Sequence, residues 1–180
     1  MVYMFLAEGF EEIEALCPLD LLRRAGVDIK TVAVGDGDLV TGSHGIAVKA
    51  DMKESDFSDE KAEMVILPGG LPGTTNLEAS EVVAKALGDA VANDAYVCAI
   101  CAAPSVLGKR GYLKGKEAIC YPGFEKYLEG ATVSDKKVVL DGKIITGAGM
   151  GAALEFGLAL VSALCGVEKA EGLRKAVLAD

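Results

Sequence analysis

Cys101 is the residue whose surroundings most directly predict chemistry. It follows an apolar run, residues 96–100, that is typical of a buried strand, and it precedes a segment of helical composition. The residues two positions away, Ala99 and Ala103, are both small, as a sharp strand-to-helix turn requires because the backbone doubles back there. Backbone amides at the start of the helix would point toward the sulfur and favour the thiolate over the thiol. We therefore predict that Cys101 is an acidic, nucleophilic cysteine rather than a buried core residue.

A nucleophilic cysteine normally works with a titratable partner, and this chain offers few. Its single histidine, His44, lies in a short turn that nothing in the sequence connects to Cys101. Three glutamates, Glu11, Glu12 and Glu14, follow the first apolar run. A carboxyl group beside a thiolate in a dry pocket would have a raised pKa and would donate its proton to the sulfur. Helical spacing places Glu11 and Glu14 on one side, which favours these two over Glu12.

Two consecutive glycines, Gly69 and Gly70, follow another apolar run. Glycines at such a position let the backbone direct its amides toward a ligand. The amide of Gly70, together with that of Ala102, could therefore form an oxyanion hole. Taken alone, the glycine pair is more typical of an ordinary turn at the end of a strand.

Other potential motifs indicate structural roles. Cys98 and Cys101 have the spacing of a redox pair, but Cys98 falls inside the predicted strand. The glycine-rich segment 147–152 resembles a dinucleotide fingerprint, yet no second strand with a ribose-binding acid follows it, so we expect close packing there. Cys120 is expected to be a small buried residue and His44 a turn or interface residue.

Composition limits the class of protein. The chain has 180 residues, which suggests one domain spanning 1–180, and it is 51% hydrophobic and 25% charged. With 18 basic and 27 acidic side chains the net charge is -9, which argues against a nucleic-acid partner. No apolar stretch reaches the roughly 20 residues that a bilayer requires, so no membrane partner is expected. The odd number of cysteines, five, indicates reduced thiols in a core and a cytoplasmic location.

Short apolar runs alternate with amphipathic stretches, which predicts an α/β fold with a mostly parallel sheet. Strands are predicted at residues 2–6, 28–34, 64–67, 96–100, 117–120 and 143–146, with a minor hairpin at 131–140 and short edge strands near 39–48. Helices are predicted at residues 11–25 with a kink at Pro18, from residue 80 onward, and at 102–109, 151–165 and 168–177. Because ligands bind beyond the carboxyl ends of parallel strands, we expect the segments that follow the strands to meet in one site. These segments are residues 7–14, 68–73, 101–105, 121–124 and 147–151.

Several of these segments together resemble the ThiJ/PfpI superfamily, in particular the branch of the Parkinson-associated protein and its bacterial relatives. The resemblance covers nearly the whole chain. It rests on Ala7-Glu8-Gly9-Phe10-Glu11-Glu12-Ile13-Glu14, Asp20-Leu21-Leu22-Arg23-Arg24-Ala25-Gly26, Leu67-Pro68-Gly69-Gly70 with Asn76-Leu77, Ala99-Ile100-Cys101-Ala102-Ala103-Pro104, Gly149-Met150-Gly151 and Glu155-Phe156.

The resemblance implies a flavodoxin-like three-layer α/β sandwich with a small β hairpin, a homodimer, and an oxidation-sensitive cysteine at Cys101. It selects Glu14 over Glu11 as the partner of the cysteine, and it assigns an anion pocket to the amides of Gly70 and Ala102. The activities it implies are cofactor-free glyoxalase chemistry on methylglyoxal, removal of early glycation adducts, and holdase-type stress protection.

Two residues depart from relatives of this kind. Ala102 stands where the protease-like branch has a histidine directly after its cysteine, which argues against peptidase activity. Tyr121 stands where many eukaryotic members have a histidine, and a phenol with a pKa of about 10 is a poor base at neutral pH. Two hypotheses follow. In the first, Cys101 attacks a dicarbonyl or its adduct with no metal or organic cofactor. In the second, Cys101 is an oxidation sensor with little turnover.

Overall fold

The computed structural model describes residues 1–58 and 61–179, and it shows an α/β protein with a seven-stranded central sheet. The strands are β1 (Val2–Leu6), β2 (Ile29–Ala33), β3 (Leu39–Thr41), β4 (Ala47–Lys49), β5 (Met52–Lys53), β6 (Met64–Leu67), β7 (Tyr96–Ile100), β8 (Glu117–Ala118), β9 (Thr132–Val133), β10 (Val138–Asp141) and β11 (Ile144–Gly147). The α-helices are α1 (Glu12–Ala25), α2 (Gly73–Ala79), α3 (Glu81–Ala92), α4 (Pro104–Lys109), α5 (Ala153–Cys165) and α6 (Val167–Ala176).

The central sheet has the strand order β10-β11-β7-β6-β1-β2-β5. All neighbouring pairs are parallel except β10 and β11. From β1 the chain moves to β2 and β5 on one side and then returns to β6 on the other. The connections after β1 and β6 therefore diverge, which leaves a crevice at the carboxyl ends of these two strands.

Helices cover both faces of the sheet, so the strands are buried on both sides. Alternate residues of β1 contribute to two hydrophobic cores, one with α1, α5 and α6 and the other with α2, α3 and α4. This burial explains why the central strands are continuous apolar runs in the sequence. The three-layer α/β arrangement with its mostly parallel sheet confirms the predicted fold class.

Most predicted elements are confirmed within one to three residues, and the differences have local causes. The predicted hairpin at 131–140 is wrong, because β9 pairs in parallel with β8, whereas the hairpin of the central sheet joins β10 to β11. Its two-residue turn consists of Gly142 and Lys143, and the positive φ of 62° at Gly142 is the conformation that such a turn requires. The strands predicted near 39–48 form a separate hairpin, β3–β4, and β5 is the edge strand instead.

Among the helices, α2 was not predicted, and α1 continues through Pro18. Pro18 is buried and lies against Gly157 of α5, where a larger residue than glycine would contact its Cα atom. The expected location of all the thiols in a core is also only partly confirmed. Cys98 and Cys120 are buried, but Cys165 is exposed. Among the described residues no helix combines the length and the hydropathy needed to cross a membrane.

Candidate active site

The five segments that follow the predicted strands do meet at the carboxyl edge of the sheet, and hydrogen bonds join them. The amide of Cys101 donates to the carbonyl of Gly147 at 2.9 Å, and the carbonyl of Cys101 accepts from the amide of Tyr121 at 2.8 Å. On the other side, the amide of Glu11 donates to the carbonyl of Gly69 at 2.9 Å. The site is therefore held by backbone contacts from five different connections.

Cys101 occupies a strained turn between β7 and α4. Its φ is +65°, a left-handed conformation that residues other than glycine seldom adopt and that is concentrated at functional sites. Ala99 and Ala103, the small residues that flank the turn, are both fully buried. The predicted elbow at Cys101 is thus present in the structure.

Three groups surround the sulfur of Cys101. The backbone amides of Gly70 and Ala102 donate hydrogen bonds to it, and its thiol donates to the carboxylate of Glu14. Gly70 has a φ of +90°, so the backbone freedom of glycine is what turns its amide toward the sulfur. The structure therefore brings together all four residues that sequence analysis selected, namely Cys101, Glu14, Gly70 and Ala102.

Glu14 reaches the sulfur because of how α1 begins. Glu11 is the N-cap of this helix, and its Oε2 accepts a hydrogen bond from the amide of Glu14 at 2.7 Å. The Glu14 side chain is buried, and its Oε2 accepts from the amide of Gly69 at 3.0 Å. A Cβ atom on Gly69 would contact both the Glu14 carboxylate and Cys101, so glycine is required there as well.

The electrostatics of the pair raise the pKa of both groups. Burial, together with the charge of Glu11, raises the pKa of Glu14 to about 7, despite the hydrogen bonds from Cys101 and Gly69. Burial, followed by the charge of Glu14 and the hydrogen bond to it, raises the pKa of the Cys101 thiol to about 12. The amides of Ala102 and Gly70 lower the thiol pKa but do not outweigh these effects.

The prediction of an acidic Cys101 is therefore wrong, although its location is right. The helix that follows, α4, has only six residues and begins three residues after the cysteine, so its dipole has little effect at the sulfur. The Glu14 carboxylate is in direct contact and acts in the opposite direction. Glu14 is thus suited to accept the thiol proton when the sulfur attacks an electrophile.

The three candidate glutamates separate into three roles. Only Glu14 contacts Cys101, while Glu11 caps α1. The buried carboxylate of Glu12 instead accepts hydrogen bonds from the turn between β3 and β4, including one of 2.8 Å between its Oε2 and Nδ1 of His44. Burial raises the pKa of Glu12, but the hydrogen bonds from His44 and Ile46 outweigh this effect and lower the pKa to about 2. His44 is a turn residue, as expected.

A cleft of about 490 Å³ adjoins the elbow and is lined by Tyr121, Pro122, Lys137 and residues 148–152. The two segments that hydrogen-bond to the backbone of Cys101 continue directly into its walls. The ring of Tyr121 packs beside Gly149, where a Cβ atom would lie 3.3 Å from Cδ2 of the ring. The segment 147–152 therefore packs at the site wall, as predicted.

Sequence reasoning missed two features of the site. The amide of Gly69 donates a hydrogen bond to Glu14, but sequence analysis considered Gly69 only as one of two glycines. What identifies this residue is that no side chain larger than that of glycine fits between Glu14 and Cys101. The contact between Glu12 and His44 joins residues 32 positions apart. No local pattern in the sequence indicates such a contact, because it depends on how the β3–β4 hairpin folds back onto α1.

Comparison with known proteins establishes the family. A model described as the DJ-1/PfpI family matches residues 1–163. The chain belongs to the DJ-1/PfpI family. Protein dj-1beta of Drosophila melanogaster is 36% identical over 177 residues, which cover 97% of this chain and 95% of that protein. The glutathione-independent glyoxalase DJR-1.2 of Caenorhabditis elegans is 32% identical, over 93% of this chain and 90% of its own length.

Solved structures of other DJ-1 proteins have the same fold. Oxidized DJ-1 of Toxoplasma gondii superimposes with a TM-score of 0.95 at 34% identity, covering 98% of this chain and 97% of that chain. A mutant of a DJ-1 superfamily protein from Salmonella typhimurium gives a TM-score of 0.94 at 34% identity, with the same coverage. The DJ-1/PfpI fold thus extends over nearly the whole chain.

Proposed function

We propose that this DJ-1/PfpI protein is a cofactor-independent cysteine enzyme that acts on reactive dicarbonyls such as methylglyoxal, or on their glycation adducts, in protection against stress. The observation that supports this proposal is the pair formed by Cys101 and Glu14. A thiol on a strained elbow donates a hydrogen bond to a buried carboxylate whose pKa is near 7, and two backbone amides lie against the same sulfur.

The geometry suits addition of the thiol to an aldehyde. The sulfur forms a bond to the aldehyde carbon while its proton moves to Glu14, and the carbonyl oxygen gains negative charge. The amides of Gly70 and Ala102 stabilise that oxygen, which then takes the proton back from Glu14 to give a hemithioacetal. Glu14 next moves a proton from the first carbon of the dicarbonyl to the second, while the hydroxyl proton passes from the first oxygen to the second. Water hydrolyses the resulting thioester, so that methylglyoxal and one water give lactate.

Two further observations support a dicarbonyl substrate. The relative from Caenorhabditis elegans carries the name of a glutathione-independent glyoxalase. The cleft beside the elbow, about 490 Å³, has room for a molecule larger than methylglyoxal, which is why glycation adducts belong to the proposed substrate class. Tyr121 lies in its wall and is exposed, so it can donate a hydrogen bond to a substrate there.

Lactate formation from methylglyoxal tests the proposal. Cys101→Ser and Glu14→Gln should each lower the rate by about a hundredfold or more, because each removes a group that takes part in bond making or proton transfer. Cys165→Ser and Glu168→Gln are matched controls, since Cys165 is exposed and Glu168 lies in the first turn of another helix. Lactate formation that is the same in Cys101→Ser and Glu14→Gln as in the wild type would exclude the assignment.

The alternative is a redox role for Cys101, and the groups around its sulfur support it. The two amides and Glu14 surround the sulfur itself, and these groups are suited to hold the oxygens of a sulfinate if Glu14 carries a proton. However, the raised thiol pKa reduces the thiolate that reacts with peroxide, so the enzymatic function is preferred. Graded peroxide followed by intact-mass and peptide analysis should add two oxygens at Cys101 first. Earlier oxidation of the exposed Cys165 would argue against a sensor.

A further inference from the structure

A cluster of possible metal ligands lies outside the Cys101 pocket, between the first turn of α1 and the β3–β4 hairpin. It consists of Glu11, Glu12 and His44, whose ligand atoms all lie within 4.8 Å of one another. Nδ1 of His44 is 2.8 Å from Oε2 of Glu12 and 4.0 Å from Oε1 of Glu11. One imidazole nitrogen and two carboxylate oxygens thus converge from two different elements.

Backbone amides orient both carboxylates toward the imidazole. Oε1 of Glu12 accepts from the amide of His44 at 2.8 Å, which leaves Oε2 on the side of the ring. Oε2 of Glu11 accepts from the amide of Glu14 at 2.7 Å, and its Oε1 is the atom closer to the ring. Each carboxylate therefore has one oxygen fixed by a backbone hydrogen bond and a second oxygen directed at Nδ1, as in metal sites whose ligands are held by outer hydrogen bonds.

We propose that Glu11, Glu12 and His44 bind a divalent transition-metal ion of the zinc class. An imidazole nitrogen with two carboxylates is typical of zinc and its neighbours and is disfavoured by magnesium and calcium, which prefer oxygen ligands alone. Two carboxylates balance the charge of the ion. The ion takes the place of the proton that Nδ1 shares with Glu12, so binding releases that proton to solvent.

Access and charge are also suitable. The side chain of His44 is 69% exposed, so an ion can enter from solvent and complete its coordination with water. The hydroxyl of Ser43 lies 3.2 Å from Nδ1 of His44 and is a further oxygen at the same place. The carboxylates of Glu11 and Glu12, 4.0 Å and 2.8 Å from Nδ1 of His44, concentrate negative charge at this place.

The test uses the fact that His44 is the only histidine of the chain. Its imidazole resonances in a long-range ¹H–¹⁵N NMR spectrum are therefore assigned without ambiguity. Titration of the metal-free protein with zinc chloride should shift the Nδ1 signal and saturate at one ion per chain. Zinc that binds while the imidazole signals stay unchanged, for example at the five thiols, would overturn the proposal.

Variants separate the ligands from the fold. His44→Gln should weaken zinc binding by about tenfold or more, and because this side chain is exposed the change leaves the buried residues in place. Glu12→Gln should also weaken binding. Glu8→Gln is the matched control, since Glu8 is a nearby glutamate outside the cluster that binds the amide of Thr41. Zinc affinity that is equal in the wild type and in His44→Gln would contradict the assignment.

Discussion

At the scale of single residues, Cys101 shows how neighbouring groups compete for the state of one thiol. The amides of Gly70 and Ala102 favour a charged sulfur, but burial and the Glu14 carboxylate favour a protonated one, and the second pair prevails. At neutral pH the thiol therefore keeps its proton, while Glu14, whose pKa is about 7, is present in both its neutral and its charged form. A base that is already in contact with the nucleophile makes a permanently ionised sulfur unnecessary.

Glu14→Gln should lower the pKa of Cys101. The substitution removes both the charge and the carboxylate acceptor that raise the thiol pKa, while the two amides that lower it remain. The rate of iodoacetamide alkylation at Cys101, followed by peptide mass analysis across a pH series, measures this shift. The same variant loses activity, so a faster alkylation would separate thiol ionisation from catalysis. An alkylation profile that moves to higher pH in Glu14→Gln would contradict the electrostatic account.

Gly69→Ala should disable the site through shape rather than charge. Its Cβ atom would overlap the Glu14 carboxylate and Cys101, and a displacement of about 1 Å at reacting groups costs roughly a hundredfold in rate. Lactate formation and thermal unfolding should be measured together, since overpacking costs about 1–3 kcal/mol of stability. Gly172→Ala is the control, because a Cβ atom there meets nothing within 4 Å. Full activity in Gly69→Ala would show that the close approach is not needed.

At the scale of elements, the sequence predicts the strands best where they are buried on both faces. β1, β6 and β7 were predicted with their observed bounds, because a continuous apolar run between polar segments has few other interpretations. The short strands β9 and β10 were paired with each other wrongly, since two or four residues do not specify a partner. Gly142, the first residue of the two-residue turn, was the signal that identifies the true hairpin.

The sequence predicted the position of the candidate site, but it did not by itself select every residue of the site. Strand ends indicate which connections meet, and small residues around Cys101 indicate the elbow. The choice among Glu11, Glu12 and Glu14 depends on how far each side chain reaches once α1 is docked, and helical spacing alone left two of them open. The family resemblance selected Glu14, which is the residue that contacts Cys101.

Asp51 joins three elements, and its contribution to stability should depend on pH. Its Oδ2 accepts hydrogen bonds from the amide and hydroxyl of Thr31 in β2, both at 2.8 Å, and from Arg23 in α1 at 2.7 Å. Burial raises the pKa of Asp51, but these interactions outweigh that effect and bring the pKa below its usual value. The stabilisation is therefore complete above the unfolded-state pKa, about 3.9, and is lost as the pH falls through the lower folded-state pKa.

Asp51→Asn should lower the free energy of unfolding by about 1 kcal/mol at neutral pH, since the site is partly exposed and solvent weakens the ion pair. Urea unfolding at several pH values measures the difference between variant and wild type, which should shrink as the solution is acidified. Asp135→Asn, at an exposed position, is the control. A difference that stays constant down to the lowest pH would mean that the charge of Asp51 contributes nothing.

At the scale of the whole molecule, the site lies at the point where the chain changes direction in the sheet. Glu14 follows β1 and Gly70 follows β6, the two strands whose connections diverge, and Cys101 follows the next strand, β7. The order of the strands therefore explains why three distant segments share one pocket. Two separate cores fix these strands from both faces, so the pocket has a rigid base.

We also propose that the protein is a homodimer. Exposed apolar residues support this proposal, because they could form the surface between the two chains. Ile13 in α1 is 48% exposed, and Met150 before α5 is more than half exposed. Light scattering should give a molar mass of twice 18.6 kDa. Ile13→Glu should shift the mass toward the monomer, because a charge would enter a surface that excludes water.

Val91→Glu is the matched control for this variant. Val91 is 43% exposed, but it lies on α3 in the opposite helix layer, so the same added charge should leave the mass unchanged. A monomeric wild type would exclude the dimer outright. If Ile13→Glu and Val91→Glu dissociate the dimer to the same extent, the interface does not lie at the start of α1. Only an interface that contains this part of α1 would be disrupted by Ile13→Glu and not by Val91→Glu.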